Sequence, residues 1–174
     1  MGIEIRTATL EDATAACAVL RRSITQLCAL DHQNQPAMLE SWLGNKNPQT
    51  VAAWIASPSN YTAVAVRVGE VVGIGLITQA GKLSLCYLLP EVRHAGVGKA
   101  LLLALEQQAL AWGVSVLKMH STATARPFFE SRGYVSAGKE KSCYGLECDF
   151  LWKRLDAEAA GAAATGKRFC NCGP

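Results

Sequence analysis

This 174-residue chain has few prolines, no long hydrophobic run and only a small excess of positive over negative charge. Lys, Glu or Gln interrupts every apolar stretch well before the roughly 18 residues that a membrane-spanning helix needs, so no such helix is predicted. The 6 prolines, the 18% of charged residues and the 50% of apolar residues exclude a disordered chain, collagen and a long coiled coil. The length and composition therefore predict one globular domain.

The charge balance restricts the partners. Lys and Arg number 17 against 14 Asp and Glu, which gives a formal net charge of +3. This small excess suits an anionic small molecule but is too little for a nucleic-acid-binding surface. We therefore expect a small-molecule partner, and neither nucleic acid nor a membrane.

The cysteines do not form a disulfide framework. Their number is odd, and five of them are scattered through apolar segments without regular spacing. Since no signal-peptide pattern opens the sequence, we expect reduced thiols and a cytoplasmic location. A metal site is not predicted, because a single Cys-x-Cys in a tail lacks the paired spacing of structural zinc sites. The seven are Cys17, Cys28, Cys86, Cys143, Cys148, Cys170 and Cys172.

Hydrophobic periodicity predicts an alternation of strands and helices. Thr9, with Asp12 three residues on, is typical of a helix start, and Gly69 with Glu70 is typical of a hairpin turn. The strongest helical pattern ends before Gly113. The predicted elements are strands at 3–7, 61–68, 71–78, 83–89, 114–119, 134–139 and 148–155 and helices at 13–27, 38–43, 48–57, 97–112 and 124–132, in the order β, α, α, α, β, β, β, α, β, α, β, β.

The periodic patterns end near residue 155. Residues 156–174 are rich in Ala and Gly and carry no periodicity. We therefore predict a folded domain at 1–155 and a C-terminal tail at 156–174.

The turn between the predicted strand at 83–89 and the strongest predicted helix, at 97–112, carries the chemistry. Gly96 and Gly98 lack a Cβ, so main-chain N–H groups can approach an anion closely, and the helix start adds unpaired donors and a partial positive charge. Basic side chains surround the glycines. Ala100 replaces the Ser or Thr of a nucleotide P-loop, and a third Gly is missing, so a dinucleotide fingerprint is absent. The pattern predicts a cradle for another kind of diphosphate, although glycines at such a turn also serve turn geometry alone.

Two segments resemble the GNAT acetyltransferase superfamily. Arg93-x-x-Gly96-x-Gly98 resembles the R/Q-x-x-G-x-G/A signature that follows the fourth strand and binds the pyrophosphate of acetyl-coenzyme A. Residues 125–134, ARPFFESRGY, resemble a later segment of the family. Its usual pattern is Ala-x-x, then an aromatic or aliphatic residue, then Tyr-x-x-x-Gly-Phe. The resemblance implies an α/β (α+β) fold: a mixed, mostly antiparallel seven-stranded sheet flanked by helices. In it, strand four splays from strand five after a bulge near Leu88.

The resemblance also implies a binding site. The N–H of Leu88 would hold the acetyl carbonyl, and pantetheine would bind between residues 87–89 and the strand ending at His120. The implied coenzyme A contacts are Leu88, Leu89, Arg93, His94, Ala95, Gly96, Val97, Gly98, Lys99, Thr122, Ala125, Phe128, Phe129 and Arg132.

The proton donor for the leaving thiolate stays open. Family members commonly carry Tyr where this chain has Phe129, which has no hydroxyl. Either Ser121, Tyr134 or Tyr144 replaces it, or water does, because a thiolate is a good leaving group.

The general base also stays open. Glu91, His94 and His120 lie in or beside the two segments. Asp31 and His32 lie in the loop that helps form the acceptor side in the family.

The resemblance implies an acetyl-coenzyme A-dependent N-acetyltransferase that acts on a primary amine of a small molecule or peptide. We expect direct attack within a ternary complex, while Cys86 on the fourth strand permits a covalent route. The alternative is a non-catalytic acyl-coenzyme A sensor or interaction module, and a nucleotide-binding enzyme is disfavoured by Ala100. Homodimers are common in the family, but no residue here demonstrates one. The acceptor cannot be read from the sequence.

Overall fold

The computed structural model describes residues 2–141 and 145–156. Every predicted element is present there, in the predicted order, and a short helix follows the first long one. The helices are α1 (Ala13–Leu27), α2 (Ala29–His32), α3 (Pro36–Leu43), α4 (Pro48–Ala56), α5 (Val97–Ala111) and α6 (Arg126–Ser131). The strands are β1 (Ile3–Thr7), β2 (Asn60–Arg67), β3 (Glu70–Thr78), β4 (Leu83–Leu88), β5 (Val116–Ser121), β6 (Val135–Lys141) and β7 (Glu147–Arg154). Residues 157–174 of the predicted tail lie outside the described residues.

The short helix α2 occupies part of the segment between the predicted helices at 13–27 and 38–43, where a loop was expected. It covers Ala29–His32 and ends at Gln33, which has a left-handed backbone with φ 51°. Asn34 is also left-handed, and two such residues in a row cannot continue a helix. None of the helices in the described part of the chain is long and apolar enough to cross a bilayer.

The strands form two antiparallel sheets that separate between β4 and β5. One has the order β1-β2-β3-β4 and the other β5-β7-β6. They meet at a parallel bridge between Lys82 and Lys118, where the Lys118 N–H donates to Gly81 O at 2.9 Å. The predicted splay of the fourth strand from the fifth is therefore confirmed.

The predicted bulge lies earlier in β4 than Leu88. Leu85 pairs with Leu76 and Leu83 with Ile77, which leaves Ser84 as the extra residue. From there to Leu88 the pairing with β3 is regular, so the expected position was wrong. The bulge directly follows the bridge at Lys82, and an extra residue bends and twists the strand that carries it. This position explains why β4 leaves β5 so soon after the bridge.

Helices cover both faces of the first sheet. On one face α5 packs Leu101 and Leu105 against Leu117 and Leu151 from the second sheet. On the other, α1 packs against β3 and β4, and α4 packs beside α1 against β2. Burial of each large aliphatic side chain stabilises the fold by about 1.5–3 kcal/mol. A Cβ on Gly75 would lie 2.6 Å from Leu105 Cδ1, so this glycine lets α5 lie close against β3.

The predicted start of α1 is fixed by an ion pair. The Asp12 carboxylate accepts hydrogen bonds from the Thr9 N–H (2.7 Å) and hydroxyl (3.1 Å). It also accepts two from the Arg6 guanidinium at 2.7 and 2.9 Å. Arg6, more than any other neighbour, lowers the pKa of Asp12 from 3.8 to about 2. These contacts tie β1 to the first helix.

Candidate functional site

A groove of about 390 Å³ lies where the two sheets separate. Its walls come from the end of α1, from β4 and β5, from the start of α5 and from α6. Arginine, lysine and histidine line it, and no acidic side chain does so among the described residues. Such a lining favours a polyanionic ligand. The lining residues are Ser23, Leu27, Cys28, Leu83, Ser84, Leu85, Cys86, Tyr87, Leu88, Arg93, His94, Gly96, Gly98, Lys99, Met119, His120, Ser121, Thr122, Thr124, Ala125, Phe128, Phe129 and Arg132.

The start of α5 is an uncapped helix N-terminus at this groove. Gly96 precedes the helix with φ 80°, and no side chain of the described residues caps it. The first helical hydrogen bond runs from the Ala100 N–H to Gly96 O at 3.0 Å. The N–H groups of residues 97–99 therefore have no acceptor within the helix, and the helix dipole adds a partial positive charge. Such a helix start favours a bound anion.

The main chain of β4 presents Leu88 to the gap. The Leu89 N–H donates to Val72 O at 2.9 Å, and Leu88 faces Gly73 in the register. Because hydrogen-bonded pairs alternate along an antiparallel ladder, the N–H and C=O of Leu88 point away from β3 and toward β5. The N–H of Leu89 points toward β3, and so does that of Tyr87, two residues earlier in the ladder. Within the predicted segment 87–89, only Leu88 therefore directs its N–H into the gap.

The main chain of β5 presents His120 to the same gap. The Leu155 N–H donates to Ser115 O at 2.7 Å, and alternate residues from 115 onward bond to β7 in this register. Lys118 and His120 therefore turn their main-chain groups toward β4. Lys118 uses its N–H at the bridge, whereas His120 lies beyond the bridge, where the strands have separated.

Most of the coenzyme contacts implied by the resemblance line this groove. The exceptions are Leu89, Ala95 and Val97. The side chain of Val97 is fully buried and packs on Ala65 and Val92 in the core. The sequence analysis did not predict the wall that the end of α1 forms with Ser23, Leu27 and Cys28. The one signal for it in the sequence was Ser23, a polar residue on the apolar side of the predicted helix. The predicted residues that line the groove are Leu88, Arg93, His94, Gly96, Gly98, Lys99, Ser121, Thr122, Ala125, Phe128, Phe129 and Arg132.

Tyr134 does not reach the groove, which corrects the expectation that its hydroxyl donates a proton there. It is 2% exposed, and the hydroxyl donates to Glu106 Oε1 at 3.1 Å. Lys153 Nζ lies 2.9 Å from the same oxygen. Burial, followed by the charge of Glu106, raises the pKa of Tyr134. The hydroxyl therefore belongs to a structural network behind Phe129.

Ser121 lines the groove, and its proton is already engaged. Its Oγ donates to Thr122 O at 2.9 Å. The third candidate, Tyr144, lies outside the described residues, as do Cys143, Cys170 and Cys172. Within the described residues, no three His, Cys, Asp or Glu side chains form a group that could hold a metal ion.

Asp31 and His32 have structural partners, which corrects their expected position at the acceptor. Asp31 accepts hydrogen bonds from the Ala123 N–H and the Thr124 hydroxyl, both at 2.7 Å. It thereby anchors the turn that begins α6. His32 is fully buried, its Nδ1 accepts from the Asn34 N–H, and its Nε2 lies 2.9 Å from Ile24 O. Neither side chain is available as a general base.

Glu91 and His94 differ in position. Glu91 forms an exposed ion pair with Arg22 at 2.9 Å and lines no described cavity. Its pKa is lowered by a hydrogen bond from its own backbone and by Arg22. His94 has a left-handed backbone with φ 60° and lines the groove in the basic turn, where it suits anion binding.

Cys86 lines the groove but is not activated. Burial, and then the charge of Glu106, raises the pKa of the Cys86 thiol to about 12. The thiolate is the nucleophilic form of cysteine. This environment disfavours the covalent route.

His120 pairs with Glu140 at the junction of two cavities. Its Nε2 lies 2.6 Å from Glu140 Oε2, and the imidazole is one-third exposed. The ring also packs on Phe150, with centroids 5.5 Å apart. A second cavity of about 410 Å³ opens on the other side of the gap. The two cavities share Leu83, Ser84, Leu85, Tyr87, His120 and Thr122.

The model of the acetyltransferase (GNAT) domain family matches residues 28–148. The chain belongs to the GNAT acetyltransferase family. The matched range contains both segments on which the resemblance depended, and the two-sheet architecture of this GNAT chain agrees with it.

Solved structures and a curated relative agree with this membership. The chain is 26% identical to the GCN5-related N-acetyltransferase of Rhodopseudomonas palustris, with a TM-score of 0.79, covering 89% of this chain and 97% of that one. The PaiA N-acetyltransferase of Thermoplasma acidophilum, in complex with coenzyme A, is 21% identical and shares the fold, with a TM-score of 0.75 over 89% and 100% of the chains.

The curated relative is a Bacillus subtilis (strain 168) protein whose own name as an acetyltransferase is provisional. It is 30% identical over 84 residues, which are 48% of this chain and 57% of that protein. The match therefore spans little more than half the length of the relative.

Proposed function

We propose that this GNAT domain is an acetyl-coenzyme A-dependent N-acetyltransferase that acts on a primary amine by direct attack within a ternary complex. The observation that carries the proposal is the gap between β4 and β5, which joins an anion cradle on one side to a second cavity on the other. Acetyl-coenzyme A is the cosubstrate that family membership implies, and a structure of similar fold holds coenzyme A.

In this proposal the pyrophosphate binds at the start of α5. The free N–H groups after Gly96 donate to it, Arg93 and Lys99 supply positive charge, and His94 lines the same turn. Pantetheine then runs along the gap beside the main chain of Leu88.

The acetyl carbonyl accepts the Leu88 N–H, which stabilises the oxyanion as it forms. A neutral amine attacks the carbonyl carbon, so that a C–N bond forms and the C–S bond breaks. An ammonium acceptor thus loses two protons, one to the leaving thiolate and one to solvent. The products are the N-acetyl amine, coenzyme A and one released proton.

His120 is our candidate for the base that accepts the amine proton. It lines both cavities, and Glu140 orients its Nε2. With the proton on Nε2, the lone pair of Nδ1 is free to accept. Glu140 then acts as a positioning residue.

Water is our candidate for protonation of the thiolate. The hydroxyl protons of Tyr134 and Ser121 are committed to Glu106 and to a backbone carbonyl. Phe129 has no proton to give. Catalysis in this chain then depends mostly on positioning.

The test is a calorimetric titration with acetyl-coenzyme A, followed by an assay of thiol release with a panel of amines. We expect micromolar binding and release of coenzyme A that depends on the amine. The matched control is Arg93→Gln with Lys99→Gln, which should weaken binding of acetyl-coenzyme A more than that of pantetheine lacking the pyrophosphate. The absence of binding heat would overturn the proposal.

A non-catalytic acyl-coenzyme A sensor is the second candidate, and Phe129 favours it. Tight binding without turnover of any amine would support the sensor. Phe129→Tyr separates the two functions, because a restored hydroxyl should create activity in a protein that lacks only the proton donor. A homodimer and a cytoplasmic location remain predictions.

A further inference from the structure

The second cavity has a lining that indicates which acceptor it takes. We propose that it selects a primary amine that also carries an anionic group and an apolar body, of which an α-amino acid with an apolar side chain is the simplest example. This inference rests on the proposed function and extends it from an unspecified amine to a substrate class.

Charge is the first argument. Lys46, Lys82 and Lys141 line the cavity, and none of its described lining residues is acidic. A polyamine or an aminoglycoside would bring further positive charges to these lysines and would be repelled. A carboxylate or phosphate on the acceptor is attracted instead.

Burial of one of these charges is the second argument. Lys46 is 3% exposed. Its Nζ donates to Trp42 O at 3.3 Å and to the side-chain oxygen of Asn45. The ammonium also lies 5.7 Å from the centroid of the Trp54 ring. These contacts fix the charge at the cavity wall, where attraction for an anion is stronger than at an open surface.

The shape and polarity of the remaining wall form the third argument. Trp54, Tyr87, Leu76, Leu85 and Leu146 supply aromatic and aliphatic surface. A volume of about 410 Å³ is within the range of small-molecule sites. The apolar part of the acceptor therefore has surface to pack on while the anion faces the lysines.

The junction with the groove is the fourth argument. Tyr87, His120 and Thr122 line both spaces, so an acceptor held in the second cavity has a route to the thioester. The lysines bind the anionic group of the acceptor, and His120 lies where the reacting amine must enter.

The experiment compares amines in matched pairs at saturating acetyl-coenzyme A. L-Phenylalanine is compared with phenethylamine, L-tryptophan with tryptamine, and O-phosphoethanolamine with ethanolamine, with spermidine as the polycation. We expect kcat/KM to be at least tenfold higher for the anionic member of a pair. The phosphate pair distinguishes a phosphate-bearing acceptor from a carboxylate-bearing one.

Variants link this preference to the cavity. Lys82→Glu and Lys141→Glu change exposed side chains, so the fold should tolerate them. Each should raise KM for the anionic amine about tenfold and leave binding of acetyl-coenzyme A within twofold. Lys118→Glu is the matched control, because it makes the same charge change at an exposed position of β5 while its side chain lines neither cavity.

The outcomes separate this inference from the proposed function. Failure to bind acetyl-coenzyme A overturns the proposed function. Normal binding with equal or faster turnover of the decarboxylated amines or spermidine overturns the inference alone. If no amine is turned over, saturation-transfer NMR with coenzyme A present decides. Binding of phenylalanine or O-phosphoethanolamine that Lys82→Glu weakens supports the inference, and absence of such binding overturns it.

Discussion

Gly98 at the start of α5 lies so close to Leu88 at the end of β4 that a Cβ on the glycine would be 3.3 Å from Leu88 Cδ1. The same carbon would be 3.3 Å from Phe128 Cζ on α6. Three elements thus meet at a residue without a side chain, beside the amides of the anion cradle. The geometry of the groove depends on this close approach.

Gly98→Ala should therefore weaken binding of acetyl-coenzyme A about tenfold, because Leu88 and Phe128 must shift within the groove. Gly96→Ala should differ, since nothing lies within 4 Å of its Cβ but its φ is +80°. A left-handed alanine costs about 1–2 kcal/mol of stability. Calorimetry and thermal unfolding of both variants check this, and a Gly98→Ala protein with unchanged affinity would contradict it.

Tyr134→Phe should leave kcat within about twofold, because the hydroxyl is bonded to Glu106 in the core. The free energy of unfolding should fall by about 1–2 kcal/mol, as expected when a hydrogen-bond donor to a buried charge is removed. Steady-state kinetics and denaturant unfolding give the two numbers. A large fall in kcat with unchanged stability would restore Tyr134 as the proton donor.

His120→Asn should lower kcat/KM by about 10²–10³, the usual contribution of a general base. Part of the lost rate should return with added imidazole, or at a higher pH where more of the acceptor amine is neutral. Glu140→Gln should cause a smaller loss because it keeps an oxygen near Nε2. If imidazole rescues neither variant and only KM changes, His120 binds the acceptor without acting as a base.

Asp31→Ala should weaken binding of acetyl-coenzyme A about tenfold, although Asp31 does not line the groove. Its carboxylate holds the Ala123 N–H and the Thr124 hydroxyl, and the turn containing them forms part of the wall. Stability should fall by about 2 kcal/mol, the range for hydrogen bonds to a charged group. Asp31→Asn keeps one acceptor oxygen and should lose less in a calorimetric comparison.

Asp12→Asn should lower stability in a pH-dependent manner. The pKa of Asp12 is depressed from 3.8 to about 2, so its contribution is fully present above about pH 4 and is lost as the pH falls through 2. At pH 7 the loss should be about 1–2 kcal/mol, less than the full shift implies, because Arg6 is 37% exposed. Urea unfolding at several pH values measures it. Glu11→Gln is the control, and a difference that persists at pH 2 would contradict this account.

The sequence by itself determined the order of the predicted elements and identified the glycine turn where we propose that the pyrophosphate binds. Both are local properties: hydrophobic periodicity fixes a strand or helix within a few residues, and a glycine turn before a helix exposes amides wherever that helix lies. Gly96 and Gly98 could therefore be identified without knowledge of any distant residue.

Only the tertiary structure decided which reactive side chains remain available. Tyr134 bonds to Glu106 and Asp31 to Thr124, partners 28 and 93 residues away along the chain. His120 meets Glu140 because β5 and β6 flank β7 in a particular register. A hydrogen-bond partner is selected by proximity after packing, and sequence spacing does not encode that proximity. For the same reason, neither the α1 wall of the groove nor the lysine-lined second cavity could be predicted from the sequence, because residues from distant segments line both cavities.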